Sequence, residues 1–254
     1  MCPADGGKAT LVDYAQHVEA VKRETLAMVA ALREGPLDEP VPSCPDWTAA
    51  DLAKHVGEFT GFWTHLLCEG TGRPKTPFSD MPSGSVSAVS DWYEQLAGQL
   101  VGEFWATAPG TTIWTWVPDD QSARFVARRC ANELAVHRYD LQLARGRPEP
   151  IEAGLAADGI EEIFVMMNAW TGPTSRGHGE TLHLHGIDRG DEWLLSLTPR
   201  GLHVDRHHAE ADLALRGKVS DLQLLLYQRP TLGEVEHLGD ESVLEVWNGA
   251  FTFG

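Results

Sequence analysis

The chain is poor in cysteine and in positive charge, and both shortages narrow what it can be. Only Cys2, Cys44, Cys68 and Cys130 occur in 254 residues, and no two stand in a C-x-x-C pair. That excludes a disulfide framework and a cysteine-built zinc site, and it predicts reduced thiols in a cytoplasmic protein. Lys and Arg number 20 against 37 Asp and Glu, a net charge of −17. So acidic a chain repels phosphate backbones and anionic lipid surfaces, so neither nucleic acid nor membrane is an expected partner. No apolar run approaches the roughly 18 residues of a spanning helix. The opening residues MCPADGGKAT contain no apolar segment of the kind a secretory signal needs. A hydrophobic fraction of 43% beside 22% charged residues fits a soluble globular chain of one or two domains.

What is present is helical periodicity. After a tail over residues 1–9, an apolar stripe including Tyr14, Val18, Val21, Met28 and Leu32 predicts a helix from Leu11 to Arg33, stopped by Gly35-Pro36. Pro40, Pro42 and Pro45 stiffen the next loop. Thr48 with Asp51 three residues on resembles a capping box and predicts a second helix from Ala49 to Cys68. A loop rich in Gly, Pro and Ser leads to a third helix from Ser87 to Thr107. The fourth, Arg128 to Gly146, carries Leu134, His137, Leu141 and Ala144 on one face. Four such helices predict a four-helix bundle over residues 1–148. GRPEP at Gly146–Pro150 marks the boundary to a small α+β domain over residues 149–254, with helices at Ile151–Trp170 and near both ends of its last third. Its strands, GETLHLHGID, EWLLSLTP, LHVDR and ADLALRG, predict a mostly antiparallel sheet.

Glu133 and His137 are four apart, so their side chains stand one turn above the other. Such a pair is either two metal ligands or a surface Glu–His contact. His55 falls on the apolar face of the second helix, beside Leu52, Val56 and Phe59. It is either a hydrogen-bonded core histidine or a third ligand. Together His55, Glu133 and His137 would make a two-His, one-Glu zinc site with an open position; iron and nickel accept the same set. Asp140 could receive the second N–H of His137 or be a surface carboxylate. Cys44, in the loop ahead of the helix that carries His55, is either close to the metal or a small buried or half-exposed thiol, and Trp47 reads as a plug for the bundle end. His183 and His185 share one strand face, where a metal with His203 or Asp188 competes with a plain polar face. Arg138 and Arg145 read as solvated or paired. Trp63, Trp92, Trp105, Trp114 and Trp116 read mostly as core, with one or two lining a pocket.

VPSCPDWTAADLAKHVGE and NELAVHRYDLQLARG together resemble the two signature stretches of the mycothiol-dependent maleylpyruvate isomerase family. LHLHGID followed by LRGKVSDLQLLLYQR is similar to that family's C-terminal domain. The resemblance implies a DinB-like bundle followed by a domain related to sterol carrier proteins. It implies metal ligands at His55, Glu133 and His137, and a functional arginine at Arg229, preceded here by Gln228 where family members usually have Gly. It further implies mycothiol as cosubstrate, activated at zinc as a thiolate, with S-transfer to, or cis–trans isomerisation of, a small electrophile in the cleft between the domains. The alternatives are a metal- or ligand-binding stress or regulatory protein without turnover, and a zinc hydrolase with Glu58 as base. Neither substrate nor oligomeric state follows from the sequence.

Overall fold

The computed structural model describes residues 12–69, 80–171 and 177–250. Four long helices come first: α1 (Tyr14–Arg33), α2 (Ala49–Glu69), α3 (Val86–Ala106) and α4 (Ala123–Ala144). Each start has a local cause. The Asp13 side chain accepts from Gln16 N, and the Gln16 side chain accepts from Asp13 N, a closed capping box. The expected start at Leu11 lies outside the described residues, and the cap places the first helical residue at Tyr14. Thr48 and Asp51 form the capping box read from the sequence, with Asp51 Oδ2 accepting from both Thr48 N and Thr48 Oγ1. Ser122 accepts from Phe125 N, so α4 begins at Ala123, five residues ahead of the expected Arg128.

α1 packs along α4 and α3, and α2 along α3 and α4. The interior holds fully buried Trp63, Tyr93, Phe104 and Tyr139, each contributing roughly 1.5–3 kcal/mol by leaving water. Gly57 sets the distance between α2 and α3. A Cβ there would stand 2.0 Å from the Trp92 ring, so a larger residue would push apart the helix that carries His55.

α5 (Ala153–Thr171) links the bundle to the second half, packing on α4, on α6 (Val219–Leu226) and on the sheet. Gly159 permits this. A Cβ at that position would lie 2.0 Å from Gln223 of α6 and 2.8 Å from Asn132 of α4. The sheet has five strands, β1 (Glu180–Gly186), β2 (Glu192–Thr198), β3 (Gly201–Asp205), β4 (Leu213–Gly217) and β5 (Glu236–Gly239), in the order β3-β2-β1-β4-β5. All pairings are antiparallel except β1 with β4. The sequence showed four of these strands. β5 escaped it because all four of its residues are exposed, so the edge strand has no apolar alternation to detect. α7 (Ser242–Ala250) closes the fold, with Trp247 buried and donating to Leu226 O. No helix among the described residues is long and apolar enough to cross a membrane.

Candidate metal centre

The packing of α2 against α4 brings His55, Glu133 and His137 together. Glu133 Oε1 lies 3.5 Å from His55 Nε2 and 3.3 Å from His137 Nε2. The two imidazole rings stand 4.8 Å apart, edge to face. One ligand atom from each of the three residues lies within 4.8 Å of the others. His137 is deep, with 8% of its side chain exposed, whereas Glu133 and His55 are 21% and 34% exposed, so the group opens to solvent on the α2 side. Trp47 packs on both rings, 5.0 Å from His55 and 6.4 Å from His137. It covers the end of the bundle as expected, directly over the histidines.

These residues fit a metal ion. His55 Nε2 is buried, aimed at the group, and makes no hydrogen bond among the described residues. An orphaned nitrogen of that kind costs roughly 1–3 kcal/mol unless something accepts its lone pair. Burial pushes the His55 pKa down to about 4, helped by the His137 ring, so the lone pair is free at neutral pH. The donor set, two imidazole nitrogens and one carboxylate, suits zinc with a position left open.

Behind His137 stands Asp140, and it is not a surface carboxylate. It is fully buried and accepts from His137 Nδ1 at 3.0 Å, Ser43 Oγ at 2.6 Å and Cys44 Sγ at 3.5 Å. Arg229 approaches it with Nε and Nη2, both at 3.2 Å. Burial raises the Asp140 pKa, but the His137 hydrogen bond and the Arg229 charge outweigh it and hold the carboxyl well below the usual carboxylate range. The ionised Asp140 keeps the His137 proton on Nδ1, which leaves Nε2 to face Glu133. For His137 itself burial lowers the pKa, and the bonds to Asp140 and Cys44 more than compensate, for a net rise.

Arg229 is 8% exposed, and Nη1 donates to Tyr227 O. It follows Gln228, whose φ of 59° is the left-handed conformation that glycine adopts freely. Two further residues were not singled out from the sequence. Arg129 contacts Glu133 with Nη2, holding the second oxygen of that carboxylate, and donates with Nη1 to the fully buried Glu162 at 2.7 Å. The Arg129–Glu133 contact had a sequence signal, the four-residue helical spacing. Glu162 had none beyond its place on α5.

The remaining expectations sort as follows. Cys44 is a buried thiol, as read, but it touches Asp140. Arg138 and Arg145 are paired, with Glu24 and Glu39, and buried rather than solvated. Trp63 is core, and Trp105 is exposed. A cavity of about 570 Å³ does lie between the halves, bordered by Glu24, Arg138, Ile151 and Ser220. None of His55, Glu133, His137 and Arg229 lines it, so the trio opens elsewhere than in that cleft.

Residues 18–142 match the family described as the mycothiol maleylpyruvate isomerase N-terminal domain. A solved mycothiol-dependent maleylpyruvate isomerase is 15% identical to the chain with a TM-score of 0.61, over 88% of this chain and 92% of that one. A mutant form of a mycothiol-dependent maleylpyruvate isomerase is 14% identical, with a TM-score of 0.58, over 83% and 87%. These likenesses show a shared fold extending through both halves. No curated protein matches the chain.

Proposed function

With a helical bundle that belongs to the mycothiol maleylpyruvate isomerase N-terminal domain family over residues 18–142, we propose that the chain is an enzyme using mycothiol as cosubstrate. His55, Glu133 and His137 would hold a divalent metal, zinc before iron or nickel. The observation that carries the reading is the convergence of His137 Nε2 and the orphaned His55 Nε2 on one oxygen of Glu133. A zinc ion bound there would lower the pKa of a coordinating thiol, giving a thiolate near neutral pH.

The protein's own residues supply the positioning. Asp140 fixes the tautomer and ring plane of His137. Arg129 fixes Glu133. Trp47 packs on both imidazoles and keeps water from that side. Arg229 is engaged by Asp140, Tyr227 and Cys44, which supports a positioning role through Asp140 over the direct anion contact implied by the family resemblance. The electrophile enters from the exposed side of His55. In an isomerisation the sulfur adds to one carbon of a cis-alkene acid, the resulting single bond rotates, and the sulfur departs, so substrate and product have the same atoms. In an S-transfer the new carbon–sulfur bond stays, and the thiol proton goes to the departing group in a substitution or to the neighbouring carbon when sulfur adds across a double bond. Both need the same site. Glu58, the base a hydrolase would use, is 41% exposed and pairs with Lys54, so the thiol reading is the better supported.

The test is mycothiol binding to zinc-loaded protein by calorimetry, repeated with His137→Ala. Binding that disappears together with the zinc held by His137 supports the enzyme. Zinc bound at that residue without any affinity for mycothiol overturns the thiol reading and leaves a metal-binding module.

A further inference from the structure

A second convergence of metal-ligating side chains lies on the sheet, away from the trio. His183 and His185 stand on one face of β1, and Glu192 of β2 is the direct antiparallel partner of His185. The side chain of His208 reaches in from the segment after β3. Glu192 Oε2 lies 2.5 Å from His183 Nε2, while Oε1 lies 2.6 Å from His185 Nδ1 and 3.4 Å from His208 Nδ1. The His183 and His208 rings are 5.0 Å apart, edge to face. His203 and Asp188, the other partners suggested by the sequence, are not in the group. His203 pairs with Asp205, and Asp188 accepts from Val219 N.

Three imidazoles around one carboxylate can be a set of ion pairs or a ligand set. Two observations separate these. First, His183 is only 2% exposed, and its Nε2 and Glu192 Oε2 face each other at 2.5 Å without the alignment of a good hydrogen bond. A protonated histidine paired with Glu192 would direct its N–H along that line. Two buried polar atoms that converge out of line are the arrangement left when both aim at a third atom. Second, one carboxylate balances only one imidazolium, so three charged rings at 5.0–6.4 Å would repel each other. One ligand atom from each of His183, Glu192 and His208 lies within 4.8 Å of the others; ligands about 2.0–2.1 Å from a tetrahedral ion stand about 3.4 Å apart, the spacing of Glu192 Oε1 and His208 Nδ1, and the closer His183 Nε2 would draw back from Glu192 on binding.

We propose that His183, Glu192 and His208 form a second site for a divalent transition metal of the zinc, nickel or copper class, with His185 as the hydrogen-bonding partner that orients Glu192. The ion would tie β1, β2 and the segment after β3 together. His208, 75% exposed, closes over it from the solvent side, and a fourth position is open to water.

Metal-stripped full-length protein would be titrated with zinc against a chromophoric chelator, and melting measured with and without zinc. The expected result is two zinc ions per chain. His208→Ala and Glu192→Gln should each weaken one of them by about tenfold or more and leave the other, and His137→Ala should do the reverse. Zinc should still raise the Tm of His137→Ala and lose that effect in His137→Ala combined with His208→Ala. His208 is a surface side chain, so its variant reports binding without a folding defect. Wild-type stoichiometry and affinity in both His208→Ala and Glu192→Gln, with the zinc-dependent Tm rise intact, overturns the second site whatever becomes of the first. A single zinc removed by His208→Ala and not by His137→Ala would establish the sheet site and dismiss the bundle site.

Discussion

His137 and Asp140, one turn apart on α4, are joined by a 3.0 Å hydrogen bond in which the imidazole gives its Nδ1 proton to a fully buried carboxylate. That bond decides which nitrogen of His137 points at Glu133. Asp140→Asn presents either an amide N–H or a weaker acceptor to Nδ1, and should lower zinc affinity at the bundle site by about 10–100-fold with the helix intact. Metal titration beside circular dichroism checks it; unchanged affinity would leave Asp140 a structural acceptor only.

The trio itself is tested by His55→Ala and His137→Ala. Each should remove the zinc of the bundle and all thiol-dependent turnover. Because His55 is the orphaned and more exposed of the two, its loss should leave the metal-free Tm unchanged or slightly higher. His137→Ala, which unpairs Asp140, should lower it. A metal-free Tm order opposite to this would mean that His55 is a packing residue.

Arg229→Ala removes two contacts at 3.2 Å from a buried carboxylate. Leaving that charge short of a partner costs about 3 kcal/mol or more. A positioning role predicts a fall in both zinc affinity and kcat with KM for an anionic substrate little changed, and partial rescue by Arg229→Lys. A rise in KM alone, at full zinc affinity, would return Arg229 to direct substrate contact.

The Arg129–Glu162 pair joins α4 to α5 with side chains 7% and 0% exposed. Arg129→Met strands Glu162 and should destabilise the metal-free chain by about 3–5 kcal/mol. The double variant Arg129→Met with Glu162→Met should recover most of it. Urea midpoints measure both, and equal losses in the single and double variants would show that the pair is not coupled.

Asp158 on α5 accepts from His17 at 2.9 Å and Arg128 at 3.0 Å, tying α1, α4 and α5. Burial raises its pKa, but the bonds from His17 and Arg128 prevail, so the folded value lies below the unfolded 3.8. A depressed carboxyl contributes stability that is present above pH 3.8 and is lost as pH falls through the folded value. The Tm gap between wild type and Asp158→Asn should therefore be full at pH 5 and shrink below pH 3.8. A gap that stays constant across that range would assign the loss to shape and not charge.

The bundle was legible because each of its helices shows a 3.6-residue stripe, and the second has a recognisable start at Thr48; the Ser122 cap of α4 went unread, so that helix was expected five residues too late. The candidate trio was legible only jointly. Glu133 and His137 show their pairing through spacing, but His55 is 78 positions upstream of Glu133, and periodicity can say only that it faces inward. The tie from Arg229 to Asp140 was hidden for the same reason, and the usual glycine before the arginine is replaced by a glutamine that nevertheless takes the left-handed φ. On the sheet the sequence paired His183 with His185, correctly on one face. It could not supply Glu192 and His208, because register across a turn and the path of the segment after β3 are tertiary facts.

Asp140 gathers groups from the loop before α2, from α4 and from the chain just after α6, so a bundle that looks like a separable module has the carboxylate behind His137 held by the other half. The two halves are therefore not interchangeable parts. A chimera joining this bundle to a relative's C-terminal half would fold around a mismatched acceptor unless an arginine arrived at the place of Arg229. A change at residue 140 or at residue 229 alone should therefore leave the other without its charge partner, across the junction between the two halves.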